Sequence, residues 1–512
     1  MDACSESGPI RIDLDRQMAH STTREARDMA LDPTAAIASV DATWADDLLP
    51  ALIAYVRAPA LSPAFDPDWA EHGQLDAVAG AAADWARARR IAGLQVEVAH
   101  LPGRTPLLWF EVPAFDGEAP SSSSGADDDT VLLYGHLDKQ PPMTGWHDGL
   151  GPWSPVVRDG RLYGRGGADD GYAAYASLAA IEAVQAHGGA HARCIGLIEC
   201  SEESSSPDLP AHVAALAERI GHPSLVVCLD SFCGDYERLW ATTSLRGMVH
   251  ATLHVEVLAE GVHSGTASGI VPDSFRLARR LLDRIEDPDT GRILVPAMHA
   301  EVPAGRRSEL EAAAADHGLG LTARFPYLEG HDAAGAAVAD PLARLVARSW
   351  EPTLTVVGAD GLPATRDAGN VLRPSTTLAL SFRLPPTVDA LGAAHAVEVA
   401  LTRDPPAGAT VTVHVDSAEG GWDAAPTAPW LADAVDHASR ATFGRPASWI
   451  GEGGSIPFMR LLGDRFPDAQ VLLTGVLGPG SNAHGPNEFL DLATARHLTA
   501  SVAMVLDAHA RR

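Results

Sequence analysis

The residues of this chain with the most chemistry are acids and histidines near the ends of apolar runs: His136, Asp138, Asp169, Glu202, Glu203, Asp230 and His484. Imidazole nitrogen and carboxylate oxygen are donors that divalent transition metals take from proteins. Taken singly, each such residue in a loop reads as solvated or structural. Taken together, Asp138, Asp169, Glu202, Glu203 and Asp230 would crowd carboxylates into one place, where like charges repel by on the order of several kcal/mol even at an effective dielectric of about 20. Divalent cations offset that repulsion. The pattern therefore points to a metal centre, with His136, Asp169, Glu203, Asp230 and His484 as candidate ligands.

The elements that must bring these residues together alternate along the chain. Strand-like TVLLYGHLD (130–138) is followed by helical GYAAYASLAAIEAVQAHG (171–188), strand RCIGLIEC (193–200), helix DLPAHVAALAERI (208–220) and strand LVVCLD (225–230). Strands that are apolar throughout and alternate with amphipathic helices imply a sheet covered on both faces. Each strand runs into a polar cluster, and ligands of open α/β sheets bind beyond the carboxyl ends of strands, so the clusters are expected to converge. After Gly247 the texture changes to period-two strands at 249–257, 377–384 and 409–416, with helices near 272–286 and 388–402. That order predicts a smaller sheet with helices on one face. Residues 287–370 form an insertion in this unit, with a helix around Ser308 to His317. From Ala428 the first pattern resumes, with strand AQVLLTG (469–475) and a terminal helix from about Asp491.

The expected organisation is a loosely ordered segment over 1–40, a discontinuous catalytic domain over 41–247 and 418–512, and an inserted domain over 248–417. Folded structure is expected from Trp44, where Trp44, Leu48, Leu49, Leu52, Ile53 and Val56 recur at helical spacing. Ser121 to Asp129 reads as an exposed hairpin loop.

Composition limits the partners. Lys plus Arg total 38 against 67 Asp plus Glu, a formal net charge of -29, which disfavours nucleic acid and anionic membranes. Lys139 is the sole lysine. The five cysteines (Cys4, Cys194, Cys200, Cys228, Cys233) have no CxxC spacing and read as reduced thiols of a cytoplasmic protein. The N-terminus has no apolar signal-like core, and no apolar run approaches the roughly 20 residues that span a bilayer.

Segments YGHLDKQP (134–141), DGRLYGRGGADD (159–170), Glu202-Glu203, LD (229–230), TTSLRG (242–247), VHSG (262–265), NVLRP (370–374), FRLPP (382–386), EGGSIP (452–457) and NAHGPNE (482–488) resemble, in order, those of the M20 family of di-zinc metallopeptidases, the carnosinase-like and cytosolic non-specific dipeptidases among them. The resemblance implies an α/β phosphorylase/hydrolase-like catalytic domain with a mixed, mainly parallel sheet, plus an inserted α+β lid or dimerisation domain. It implies two divalent ions, zinc first and manganese or cobalt as alternatives. Asp169 would bridge them, with His136 and Asp230 on one and Glu203 and His484 on the other. Asp138 would hold the His136 imidazole in one tautomer. Glu202 would be the general base that takes a proton from a metal-bridged water and passes it to the leaving amine.

From the inserted domain, His263 resembles a histidine that stabilises the oxyanion, often across a homodimer. Asn370 and Arg383 resemble the pair that recognises a substrate carboxylate or backbone, and Gly454 and Ser455 would open a helix whose amides meet the same carboxylate. The implied activity is hydrolysis of the amide bond of dipeptides or short peptides. An N-acyl-amino-acid deacylase on the same chassis is the alternative, and a non-catalytic scaffold is disfavoured by the complete ligand set. Two departures stand out: Gly171 occupies the place of a usual lysine after Asp169-Asp170, and Glu203 is followed by SSSP instead of a Gly-Ser pair. GRGGADDG (164–171) lacks the GKS/T of a phosphate loop, and neither HExxH nor a GxSxG elbow occurs.

Overall fold

The computed structural model describes residues 31–121, 129–321, 328 and 340–512. Residues 1–30 and the body of the Ser121 to Asp129 loop, 122–128, lie outside the described residues. The remainder of the segment expected to be loose is not loose: Asp32 caps the helix Pro33–Thr43, and Leu31, Ala36 and Val40 are buried. Its apolar residues are mainly alanines that do not gather on one face, so its pattern is weak in sequence. Tertiary packing against the terminal helix Leu492–Arg511 holds it.

The large sheet runs in the order Gln95–Ala99, Leu107–Val112, Arg193–Glu199, Thr130–His136, Pro223–Cys228, Gln470–Leu473, Trp240–Leu245 and Trp422–Asp423, with Ser448–Glu452 also on Trp240–Leu245. Its central strands are parallel and its margins antiparallel, a mixed sheet as expected. The strands are apolar on both faces because both are covered. Val131 and Leu133 point into a core shared with helices Pro33–Thr43, Tyr172–Ala186, Pro429–Thr442 and Leu492–Arg511. Leu132 and Tyr134 point the other way, against Leu209, Val213, Phe458 and Leu462. The helix expected over 208–220 is two short ones, Leu209–Ala215 and Ala217–Ile220, broken at Leu216.

The second sheet is antiparallel, in the order Thr353–Asp360, Ser375–Leu384, Gly247–Glu256 and Thr410–Glu419. Helices Ser274–Leu282 and Ala390–Thr402 pack one face. Its edge strand Thr353–Asp360 comes from the 287–370 insertion and is largely exposed, so it lacks the regular in-out alternation of the other three. The insertion's helices Ala304–His317 and Pro341–Ser349 pack back on the large sheet, where Leu310, Ala313 and Leu345 meet Trp240 and Ile450.

A small third sheet joins Val156–Arg158, Arg161–Tyr163 and Phe489–Asp491. It brings the segments preceding Asp169 and following His484 side by side. Cys194, Cys200, Cys228 and Cys233 are buried thiols, and Cys4 lies outside the described residues. Among the described residues no helix is long and apolar enough to cross a membrane.

Candidate metal centre

The carboxyl ends of the parallel strands supply most of the centre. His136 ends the strand Thr130–His136, and Asp138 follows two residues on. Glu202 and Glu203 form a single helical turn, Glu202–Ser204, beyond Arg193–Glu199. Asp230 follows Pro223–Cys228, and Asp169 lies in the turn Gly167–Gly171 before the helix Tyr172–Ala186. The Asp169–Asp170 peptide bond is cis. His484, at φ +65°, sits in the loop after Gln470–Leu473.

These residues form two sets that share Asp169. One is His136, Asp169 and Asp230, the other Asp169, Glu203 and His484, and in each set the donor atoms lie within 4.8 Å of one another. His136 Nε2 is 3.3 Å from Asp169 Oδ1, 3.8 Å from Asp230 Oδ2 and 3.9 Å from Glu202 Oε2. His484 Nε2 is 3.0 Å from Asp169 Oδ2 and 3.3 Å from Glu203 Oε2. His136 Nε2 is buried without a hydrogen-bond partner, and its other nitrogen faces Asp138. A buried imidazole lone pair aimed at carboxylates suits a divalent cation, and the nitrogen and oxygen donors are those zinc, manganese or cobalt accept.

Electrostatics agree with the geometry. Burial and the neighbouring carboxylates push Glu202 and Glu203 well above the usual range and Asp230 up to about 6. Burial opposes the ionised form of Asp169 as well, but the adjacent His136 and His484 imidazoles outweigh it and hold that carboxyl far below. Burial disfavours protonated His136, and Asp138 and Asp169 overcome this to raise it. The pocket holds more negative charge than its own side chains neutralise, so it favours cations.

Asp138 meets His136 with its main-chain carbonyl at 3.1 Å, while its carboxylate lies 3.5 Å from the same Nδ1. The carboxylate accepts the backbone N–H groups of Glu202 at 3.1 Å and Glu203 at 3.0 Å. Sequence reasoning missed this second contact, because an Asp two residues past a histidine says nothing about a distant backbone. It also missed Gln140, whose amide donates to Glu203 Oε2 at 2.6 Å, and buried Glu199, which accepts Tyr134 Oη at 2.6 Å, Ser206 Oγ at 2.8 Å and Ser201 Oγ at 2.9 Å. The last two serines flank Glu202-Glu203. An acid ending the apolar run RCIGLIEC is the signal that could have found Glu199.

A cavity of about 640 Å³ is lined by Asp169, Glu202, Glu203 and Asp230 and also by Arg383, Gly454 and Ser455. Arg383 Nη1 donates to Ser455 Oγ at 2.9 Å, and Ser455 Oγ donates to Arg246 O at 2.7 Å. Gly454 and Ser455 do not open a helix. The helix starts at Pro457 with Ile456 as its cap, because proline is favoured in a first turn, and the two residues lie in the loop before it. His263 and Asn370 are not in the cavity lining. Both are exposed, on a ribbon where Val262–His263 pairs with Val371–Leu372, and Ser264 N donates to Asn370 O at 2.9 Å.

Both departures have local causes. A methyl group at Gly171 would collide with the Tyr55 ring, which fills the space a longer residue would need. Tyr55 in turn packs under Lys139, whose buried ammonium lies 3.9 Å from the ring centroid and donates to Tyr55 O at 2.8 Å and Ala58 O at 2.7 Å. In the SSSP loop, Ser205 and Ser206 adopt φ of +67° and +51°, a region glycine enters more readily.

Residues 132–508 match peptidase family M20/M25/M40. The cysteinylglycine-S-conjugate dipeptidase of Corynebacterium striatum is 30% identical over 74% of this chain and 81% of its own length. The Beta-Ala-His dipeptidase of Homo sapiens is 25% identical over 70% of each chain. Among solved structures, the Di-peptidase Dug1p from Saccharomyces cerevisiae superposes with a TM-score of 0.71 at 20% identity, over 94% of this chain and 100% of that one. The family match runs from within the His136 strand through the His484 loop into the terminal helix, and so takes in both acidic sets: this chain belongs to peptidase family M20/M25/M40.

Proposed function

We propose that the protein is a dipeptidase with two divalent ions, zinc in the native state, and that it acts in the cytoplasm. The sharing of Asp169 by two acidic sets, in a cavity that Arg383 also lines, is the observation that carries this reading. His136 and Asp230 would hold one ion and Glu203 and His484 the other, with Asp169 common to both sets. When bound, such ions polarise a scissile carbonyl and make water a nucleophile near neutral pH.

The protein's own groups do the rest. Glu202 lines the cavity and takes the proton of the attacking water, then returns it to the leaving amine. The raised affinity of its buried carboxylate for a proton suits that transfer. Asp138 orients the His136 ring and fixes the backbone of Glu202 and Glu203. Arg383, steadied by Ser455 and beside Gly454, binds the substrate's terminal carboxylate. Residues 248–417 act as the lid and dimerisation domain, and the exposed ribbon carrying His263 and Asn370 serves the site of a partner subunit.

The names of the relatives support dipeptides as substrates. A metal-loaded sample assayed on a panel of dipeptides and N-acetyl amino acids tests the reading. Dipeptide turnover is expected, and deacylation without any dipeptide cleavage would overturn it.

A further inference from the structure

The cavity wall contributed by the antiparallel sheet holds an acid that the proposed chemistry does not use. Register sets Arg383 opposite Met248 and Met248 opposite Glu419, so three side chains on neighbouring strands form a row, and all three line the cavity. With strands about 4.8 Å apart, the Arg383 and Glu419 backbones are separated by about 10 Å. Arg383 is engaged by Ser455. Glu419 is not engaged: Oε2 is buried without a hydrogen bond, and no ion pair from the described residues reaches the carboxylate. Burial raises its affinity for a proton, while the charges of His250 and Arg383 oppose that. Glu419 is half-buried, and the oxygen that is shut from water has no partner among the described residues, so a cationic group of a ligand in the cavity would satisfy it.

The charges of the wall say which partner. Glu452, the other acid on this side, is paired with Arg348. A substrate carboxylate on Arg383 would occupy that guanidinium, and Arg246, the remaining cation nearby, is turned to the carbonyls of Gly453 and Glu351, so Glu419 keeps no cationic partner among the described residues. A dipeptide held between the acidic sets and Arg383 would carry its C-terminal side chain beside Arg383, and Glu419 lies two strands away across Met248. Met248, between the two, offers an apolar shelf for an aliphatic stem whose charged tip lies beyond it.

We propose that Glu419 determines specificity by accepting the ammonium or guanidinium of the substrate's C-terminal residue, so that the preferred dipeptides end in lysine or arginine. This rests on the assignment of Arg383 to the terminal carboxylate. The test is kcat/KM of the metal-loaded full chain on Ala-Arg and Ala-Lys against Ala-Leu and Ala-Gln. The basic substrates are favoured by about tenfold or more, since a site built for a polar group rejects analogues that lack it. Glu419→Gln lowers that ratio about tenfold, chiefly through KM, and Glu419→Arg inverts it toward Ala-Glu.

A wild-type ratio near one overturns the proposal whether or not the variants fold, and so does a ratio that survives Glu419→Gln. N-acetyl-arginine against N-acetyl-leucine gives the same contrast if the enzyme deacylates and cleaves no dipeptide, which separates failure of the dipeptidase reading from failure of this one. Calorimetry with arginine and norleucine repeats it without turnover, and equal affinities there also overturn it.

Discussion

Arg165 and Glu488 form a fully buried ion pair, Nη1 to Oε2 at 2.5 Å, between segments 323 residues apart. The pair joins the two loops that carry Asp169 and His484. Glu488 Oε1 also accepts Gly166 N at 2.9 Å, and Arg165 Nη2 donates to Gly485 O at 2.8 Å, so each loop is tied at its backbone as well. Removing one partner strands a buried charge. Glu488→Ala is expected to cost about 3–5 kcal/mol of stability by chemical denaturation and to lower occupancy at the His484 side. The double variant Arg165→Met/Glu488→Leu should cost clearly less in stability than Glu488→Ala alone. Equal costs would show that the pair is not the connection.

Glu202→Gln should separate binding from chemistry. Glu202 belongs to neither ligand set yet lines the same cavity. The variant is expected to retain its metal content by elemental analysis and to lose about 10²–10⁴-fold in kcat. Near-normal turnover would remove Glu202 from its role as base.

Gly171 is a matter of space. Gly171→Ala places a methyl group in the Tyr55 ring and should cost about 1–3 kcal/mol by overpacking. Adding Tyr55→Leu to it should cost less than the sum of the two single changes, because the residues meet directly. Strict additivity in denaturation midpoints would contradict the contact.

The convergence of these side chains was readable in the sequence because metal chemistry restricts residue types, and because apolar strands announce their own ends. His136, Asp169, Glu203, Asp230 and His484 converge as the strand pattern implied. What tied them was not readable. Gln140 on Glu203, Glu488 on Arg165 and Glu199 beneath the Glu202 turn act through side-chain geometry that spacing does not encode. The exposed strand Thr353–Asp360 escaped because alternation is visible only where one face is buried. Gly454 and Ser455 were misread as helix-opening since glycine and serine often precede a helix; the cap falls at Ile456. Lys139, the sole lysine, stood inside a metal motif, yet its ammonium closes the carbonyls of Tyr55 and Ala58 and touches neither acidic set.

His191 gives the fold an acid sensitivity of its own. Burial pushes it down to about 4, and the neutral ring is fixed by Gln185 Nε2 at 2.9 Å and Ala192 O at 2.8 Å. Folded His191 refuses a proton that the unfolded chain accepts below about pH 6.5. Its contribution is therefore whole above that pH and is lost as pH falls toward about 4, by at most about 1.4 kcal/mol per unit. Denaturation of wild type and His191→Gln at pH 7 and pH 5 should show the wild type losing about 1–2 kcal/mol more than the variant. Parallel losses would contradict the assignment.

Metal stoichiometry is the most direct test of the shared-carboxylate centre. Wild-type protein loaded with zinc and freed of excess should retain about two ions per chain by elemental analysis, and Asp169→Ala, which removes the residue common to both sets, should retain less than about half an ion. A wild type that binds none, or an Asp169→Ala protein that still holds two, would contradict the centre described here.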